Sequence, residues 1–379
     1  MEFKGDSMKA KAAIHHGAKQ PLSVEEIEID APMAQEVLVR NAACGVCHSD
    51  LHFASGAYSV SAPCILGHES AGVVEAVGDG VSELRPGDHV VAFNISACGI
   101  CDLCMAGHPV LCANQHMTQR PPEAQPRYSW KGQDLTGQIM HLGRTRQFPV
   151  GFTDRLLLHE RCAVRIPQGV PLDRAALIGC GVMTGVGAVV NSAKVTPGCS
   201  VAVFGAGGVG IAVIQGARLA GAREIIAVDI FDNKLESARR FGATDTVNAA
   251  KLDAVEEIRR LTSGAGVDFS FEAIGTKKTI EQSFECLALG GTAAVIGGVP
   301  AGIRMELDPN FLKGERRLIG VTMGSSRYQL DIPRYAALYL RGRLNLDDMV
   351  SRRIGLDGID DAFKAMQAGE LVRAVIVFN

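Results

Sequence analysis

The sequence predicts an α/β chain of two lobes, one β-rich and one built on a doubly wound parallel sheet, and three observations support this. Short apolar runs broken by Gly, Pro and Asp occupy the chain from about Met8 to Arg165. From Leu177 onward, buried strand-like runs alternate with helical patterns. Between one such strand and its helix stands a glycine-rich turn, Gly205-Ala206-Gly207-Gly208-Val209-Gly210. A length of 379 residues is enough for two domains, each with its own core.

In the first lobe, Val37-Leu38-Val39, Ala71-Gly72-Val73-Val74 and Asp88-His89-Val90-Val91-Ala92 read as strands. The strand-like pattern begins near Met8, so the residues before it are expected to form a frayed leader. Ala113 to Arg146 is polar and carries Pro121, Pro122 and Pro126, which predicts a long surface excursion. The apolar run Ala175 to Val190 is interrupted by glycines and Thr184 and is too short for a bilayer, so it reads as a buried helix. No apolar stretch of signal-peptide length stands near the amino terminus, and a cytoplasmic location is expected. The net charge of -3 gives no footprint for nucleic acid or a membrane surface.

In the second lobe, Ser200 to Phe204 is a continuous apolar strand, followed by the glycine turn and a helix from Val209 to Ala220. Gly205 permits the tight turn, Gly207 and Gly208 lie where backbone approaches a pyrophosphate, and Gly210 allows close helix–strand packing behind Val209. The helix end then faces the phosphates with its positive pole. Asp229 closes the next strand about 20 residues on, where a carboxylate accepts hydrogen bonds from ribose hydroxyls and repels a 2′-phosphate. A Rossmann site for NAD rather than NADP is therefore expected. The tail, from about Ser325, ends in a further strand, Ala374 to Phe378, which could return to the first lobe.

The 11 cysteines need a reducing-compartment explanation. Cys98, Cys101, Cys104 and Cys112 have the spacing C-x2-C-x2-C-x7-C, which suits a closed tetrahedral structural zinc. An iron–sulfur cluster uses similar ligands and stays open on spacing alone. Cys47, His68 and Cys180 form a dispersed set whose two thiolates and one imidazole would leave a fourth position free, as in a catalytic site. Their spacing does not separate them from buried thiols and a hydrogen-bonded histidine.

Taken together, these residues resemble the zinc-containing alcohol dehydrogenases of the medium-chain dehydrogenase/reductase superfamily. The likeness covers almost the whole chain. It is most specific in Gly45-Val46-Cys47-His48-Ser49-Asp50, Leu66-Gly67-His68-Glu69, the four-cysteine loop, Leu177-Ile178-Gly179-Cys180-Gly181 and the glycine turn. It implies a GroES-like catalytic domain with both zinc sites, residues 1–181 and 325–379, and a Rossmann NAD-binding domain, residues 182–324. The cofactors implied are NAD and two zinc ions per subunit, with Cys47, His68 and Cys180 holding the catalytic one. The family motif has Ser two residues after its ligand, which selects Cys47 over Cys44.

The resemblance also assigns roles. Glu69 would sit behind the metal and tune it, or else form an ion pair. Ser49 and His52 would form a proton relay, His52 passing the alcohol proton to solvent. His48 and Arg373 match positions that contact the cofactor pyrophosphate, and Lys234 one near the adenosine ribose. Asn94 replaces an aromatic pocket residue and has Phe93 alongside, and Phe152 matches a pocket-lining position to which the excursion leads.

The implied reaction is reversible hydride transfer from an alcohol to NAD, giving an aldehyde or ketone. A hydrophobic or aromatic primary alcohol is the leading substrate. Secondary alcohols and polyols are alternatives, although polyol enzymes often carry Glu in place of Cys180. A glutathione adduct is disfavoured by Ser49 and by the lack of an acid in Leu51 to Gly56. A non-catalytic NAD-binding relative would show defects among the ligands or relay, and none is visible. Relatives are homodimers or homotetramers joined through the edge of the cofactor sheet, here near Arg304 to Thr322.

Overall fold

In a computed structural model the described residues are 7–115, 127–141, 144–147, 150–300 and 302–378. The expected leader before Met8 falls largely outside them, as does the proline-rich part of the excursion. Two compact units divide the chain, residues 1–180, 327–368 and 373–379 forming the first and residues 181–326 and 369–372 the second. The four-residue stretch 369–372 groups with the second unit although its neighbours on both sides belong to the first. Its Gly369 carbonyl accepts the Asn233 side-chain amide at 2.9 Å, and the Phe231 ring packs where a Gly369 side chain would stand.

The first unit is built on sheets that are antiparallel except where Val350–Ile354 pairs in parallel with Arg373–Val377. A seven-stranded sheet centres on Glu36–Val46, which pairs with Glu69–Val77, Arg155–His159 and the tail strand Arg373–Val377. Its apolar face is closed by Val37, Val39, Val74, Leu84, Val90, Ala92, Leu156 and Ala163. Burying each of the Val and Leu side chains contributes roughly 2 kcal/mol. A five-stranded sheet sets Met8–His15 between Cys64–Ile65 at its edge and Ser23–Ile29 at its middle.

The excursion differs from expectation. Tyr128–Trp130 and Gln133–Asp134 extend the five-stranded sheet, and Gln138–His141 pairs with Arg144–Gln147. Buried Tyr128, Leu135 and Ile139 give this stretch an apolar face that its polar composition hid. Tyr128 is also tied down by its hydroxyl, which accepts the Leu157 N–H at 2.5 Å.

The second unit carries a six-stranded parallel sheet: β1 Ser200–Phe204, β2 Glu224–Asp229, β3 Asp245–Asn248, β4 Val267–Glu272, β5 Leu287–Val295 and β6 Arg317–Gly320. The order is β3-β2-β1-β4-β5-β6, so the winding reverses between β1 and β4. Helices α1 Gly208–Leu219, α2 Asp232–Phe241, α3 Ala254–Leu261 and α4 Lys277–Glu285 alternate with the first strands. Strand β1 is buried at every position, as a strand covered on both faces must be. Phe204, Phe284, Ile226, Val228 and Ile258 anchor one core.

The helix Leu172–Ala193 is longer than the apolar run suggested. At 22 residues it has the length and composition to cross a membrane, but 83% of its most apolar stretch is buried inside the protein. It is a core helix, and it winds into π-helical turns at Ile178–Val182 and Ala188–Ala193.

Candidate active site and metal centres

The first site gathers Cys47, His68, Glu69 and Cys180, whose ligand atoms all lie within 4.8 Å of one another and are all buried. Cys47 follows the central strand of the seven-stranded sheet and caps the helix His48–Ser55. His68 precedes the neighbouring strand, and strand pairing sets Gly45 opposite Glu69. A side chain at Gly45 would collide with the Glu69 carboxylate, so the glycine is what admits this acid. Cys180 lies in the π-helical turn, an irregularity frequent at functional positions. Gly179 beside it leaves no room for a side chain against the Ala92 carbonyl. Cys44 points elsewhere: its thiol is buried, packs near Gly151 and is pushed up by desolvation.

Asp50 was not foreseen from the sequence. It is fully buried, and its Oδ1 receives the Gly67 N–H at 3.1 Å and lies 3.0 Å from His68 Nδ1. Its Oδ2 accepts the Cys47 N–H at 3.0 Å. With Nδ1 committed to this carboxylate, Nε2 is the nitrogen left to bind a metal, the usual way a carboxylate orients a histidine ligand. A signal was present: Asp50 stands three residues after the helix cap, where an acid reaches back to the cap N–H.

Electrostatics in the cluster suit a cation. A hydrogen bond from the Cys180 thiol, with Arg373 and His68 close by, holds Cys47 well below its ordinary value, and Cys180 is raised correspondingly. Burial alone would lower His68, but Asp50 and Cys47 raise it well above the ordinary value. Burial pushes Glu69 up to about 7, with Arg373 opposing. These sulfur, nitrogen and oxygen donors bind a metal in their deprotonated forms, so a divalent ion would compete with protons for them. Cys2His with a nearby carboxylate fits zinc with one open position.

The remaining expected residues fall as follows. The Ser49 hydroxyl lies 3.2 Å from Cys47 Sγ, at the edge of the cluster. His52 is half-buried, and among the described residues no hydrogen bond links it to Ser49; its ring packs on Tyr58 at 4.8 Å between centroids. Desolvation lowers the His52 pKa, with Cys47 opposing. His48 is exposed at the first turn of the helix. Arg373 is buried. Its guanidinium pairs with Glu69 at 3.2 Å and donates to the Val46 carbonyl at 3.2 Å. Asn94 is half-buried, and Phe93 stacks on Tyr328 at 4.3 Å. Phe152 is fully buried with its ring against Gly67, so it buttresses the turn before His68.

The second site gathers Cys98, Cys101, Cys104 and Cys112, again with sulfurs within 4.8 Å of one another. Peptide N–H groups point at them: Cys98 N–H and Asn114 N–H donate to Cys112 Sγ at 3.2 and 3.3 Å, and Cys101 N–H to Cys98 Sγ at 3.4 Å. Hydrogen bonds from the Cys104 and Ala113 N–H groups push Cys101 down to about 6. The N–H groups aimed at sulfur favour thiolates while burial of Cys104 and Cys112 pushes those thiols up, and four thiolates would close a tetrahedron around a metal. Arg161 fastens it from outside by donating to the Ala97 and Cys98 carbonyls.

In the second unit, the glycine turn has a positive φ of 96° at Gly205, and Gly210 packs directly on the Gly205 carbonyl. Nothing stands within 4 Å of where a Gly207 side chain would project, which leaves the N-terminus of α1 open to a phosphate. Asp229 reaches across to this turn. Its Oδ2 accepts the Ala206 N–H at 2.8 Å, while Oδ1 accepts those of Ile230 and Phe231 at 2.8 and 3.1 Å. The Lys234 ammonium lies over the Phe231 ring at 5.1 Å.

Comparison with known proteins agrees with both units. Residues 33–168 match the alcohol dehydrogenase GroES-like domain and residues 208–339 the zinc-binding dehydrogenase family. An alcohol dehydrogenase zinc-binding domain protein from Burkholderia ambifaria is 36% identical with a TM-score of 0.90, the match covering 99% of this chain and 100% of that one. Benzyl alcohol dehydrogenase from Acinetobacter calcoaceticus is 31% identical with a TM-score of 0.88, over 98% of this chain and 100% of its own. A zinc-binding dehydrogenase from Sinorhizobium meliloti, bound to NADP, is 28% identical with a TM-score of 0.80, over 98% and 100%. With a GroES-like domain, a Rossmann-like parallel sheet and near-complete coverage by these relatives, the chain belongs to the zinc-dependent alcohol dehydrogenases of the medium-chain dehydrogenase/reductase superfamily and is an oxidoreductase of that family.

Proposed function

We propose that the protein is an NAD-linked alcohol dehydrogenase that binds two zinc ions per subunit and interconverts a hydrophobic or aromatic primary alcohol with its aldehyde. The observation that carries this reading is the convergence of two sulfurs, one imidazole and one carboxylate, with the Ser49 hydroxyl on their edge. Cys47, His68 and Cys180 would hold one zinc and the four-cysteine loop the other. When bound, the first ion would supply Lewis acidity toward the alcohol oxygen and NAD the hydride acceptor. The chain's own residues then do the rest. Asp50 fixes the His68 ring, and Arg373 fixes Glu69 beside the ligands. Ser49 Oγ, beside Cys47 Sγ, would accept the alcohol proton, and half-buried His52 would release it to solvent.

NAD is favoured because the Asp229 carboxylate stands at the phosphate turn, where a 2′-phosphate would meet like charge. The relative bound to NADP makes this choice worth testing directly. Aromatic alcohols are favoured by the likeness to benzyl alcohol dehydrogenase. A homo-oligomer is also part of the proposal. The open edge at β6 is flanked by exposed Leu289, Ile303, Met305 and Leu312, apolar surface that a second copy would cover.

The test is reduction of NAD and NADP by the zinc-loaded protein with benzyl alcohol, ethanol, a secondary alcohol and a polyol. Faster turnover of benzyl alcohol with NAD is expected. Preference for NADP or for a polyol would overturn the corresponding part of the proposal, and no turnover with any substrate the whole of it. Light scattering in solution tests the oligomer, which a monomer would contradict.

A further inference from the structure

Glu272 closes strand β4 and is fully buried, yet it belongs to none of the sites above. Its Oε1 accepts three donors: the Ile274 N–H at 2.9 Å, the Gly275 N–H at 2.8 Å and the Thr279 hydroxyl at 2.7 Å. Its backbone carbonyl accepts the Ile296 and Gly297 N–H groups at 2.8 and 3.0 Å. Its Oε2 has no hydrogen-bond partner among the described residues and faces Gly297, where a side-chain carbon would come within 2.7 Å. One residue thus ties together the turn after β4, the first turn of α4 and the turn after β5.

A buried carboxylate with one bare oxygen is costly, and a turn could be held by less. What this one holds is informative. Gly275, at a φ of 91°, packs directly on the Gly298 carbonyl, so the turn cannot slide. Ile274 is thereby fixed beside the phosphate turn, its Cγ1 2.7 Å from where a Gly205 side chain would begin. Its side chain remains 43% exposed. This is the point between β1 and β4 where the strand order reverses, the crevice in which sheets of this kind take their ligands. An apolar side chain held half in solvent there is a wall awaiting a flat or apolar ligand surface.

We propose that Glu272 is a positioning residue for the dinucleotide, acting through Ile274: the carboxylate sets the wall of the crevice, and cofactor affinity depends on it. This rests on the dinucleotide reading of the glycine turn. The experiment is titration of NADH and of ADP-ribose into the zinc-loaded wild type, Glu272→Ala, Glu272→Gln, Ile274→Ala and the Glu272→Ala/Ile274→Ala double variant, with KM for NAD and kcat measured alongside.

Glu272→Ala should weaken NADH binding by about tenfold and raise KM for NAD while kcat at saturation is kept. Glu272→Gln, which keeps the accepting oxygen, should restore affinity to within about threefold of wild type. Ile274→Ala should reproduce the loss, and the double variant should be no worse than either single one. Should Glu272→Ala not fold, Thr279→Val removes one donor to the same oxygen and should weaken NADH binding by about threefold. Wild-type affinity in these variants, or losses that multiply in the double variant, would overturn the role of Glu272 while leaving the cofactor reading intact. A wild type that binds neither NADH nor ADP-ribose would overturn both.

Discussion

The four-cysteine loop and the Cys47–His68–Cys180 cluster use the same sulfur chemistry but are assembled in opposite ways. The loop is local: its sulfurs and the N–H groups that point at them come from neighbouring residues between Cys98 and Asn114. The cluster draws on a strand end, the start of the next strand and a distorted helix turn, and it is oriented by a buried acid and a buried arginine. A local site needs only its own loop, whereas a dispersed one needs the whole sheet in register. Damage to the first should therefore be felt as stability, and damage to the second as chemistry.

The largest effect expected from this contrast is at Cys47. Cys47→Ala should lower turnover by on the order of 10³-fold or more while the fold and NADH binding persist. Steady-state rates and NADH fluorescence would check it, and a rate near wild type would erase the distinction between the sites. Next, Cys104→Ser should open the loop's tetrahedron and lower the melting temperature by several degrees, with the residual folded enzyme still turning over. Calorimetry with and without a chelator measures this. Loss of chemistry at unchanged stability would reverse the assignment.

Smaller effects sharpen the comparison. Asp50→Asn should weaken zinc at the dispersed site by roughly 10–100-fold and leave the loop's zinc untouched, as read by competition with a chromogenic chelator. Equal weakening at both sites would mean that Asp50 acts on the fold rather than on His68. Cys44→Ser, only three positions from Cys47 in sequence but outside the cluster, should keep both metals and near-normal turnover. Loss of either would move the ligand back to Cys44.

The same contrast explains what the sequence could tell. The loop was legible from spacing, and the parallel sheet from its strand–helix alternation and glycine turn, because each is a local pattern. Cys47, His68 and Cys180 became legible only through family resemblance, since their meeting depends on pairing between residues far apart in the chain. Asp50, the Gly45–Glu69 contact and the π-helical turn at Cys180 share that dependence. Arg373 and Phe152 show the limit from the other side. Resemblance supplied a role for each position, but not the Arg373–Glu69 pair or the packing of Phe152 behind Gly67, which depend on residues far apart in the chain. The excursion misled for a simpler reason, its few apolar residues being spaced for strands within a polar composition.

The central claim, two metals held by independent sites of which one does the chemistry, is tested most directly by zinc content per subunit in wild type and Cys47→Ala, measured by elemental analysis together with NAD reduction by benzyl alcohol. The account predicts a fall from two zinc ions to one, with turnover lost and the melting temperature little changed. Retention of both ions with turnover intact, or loss of both ions together, would contradict it.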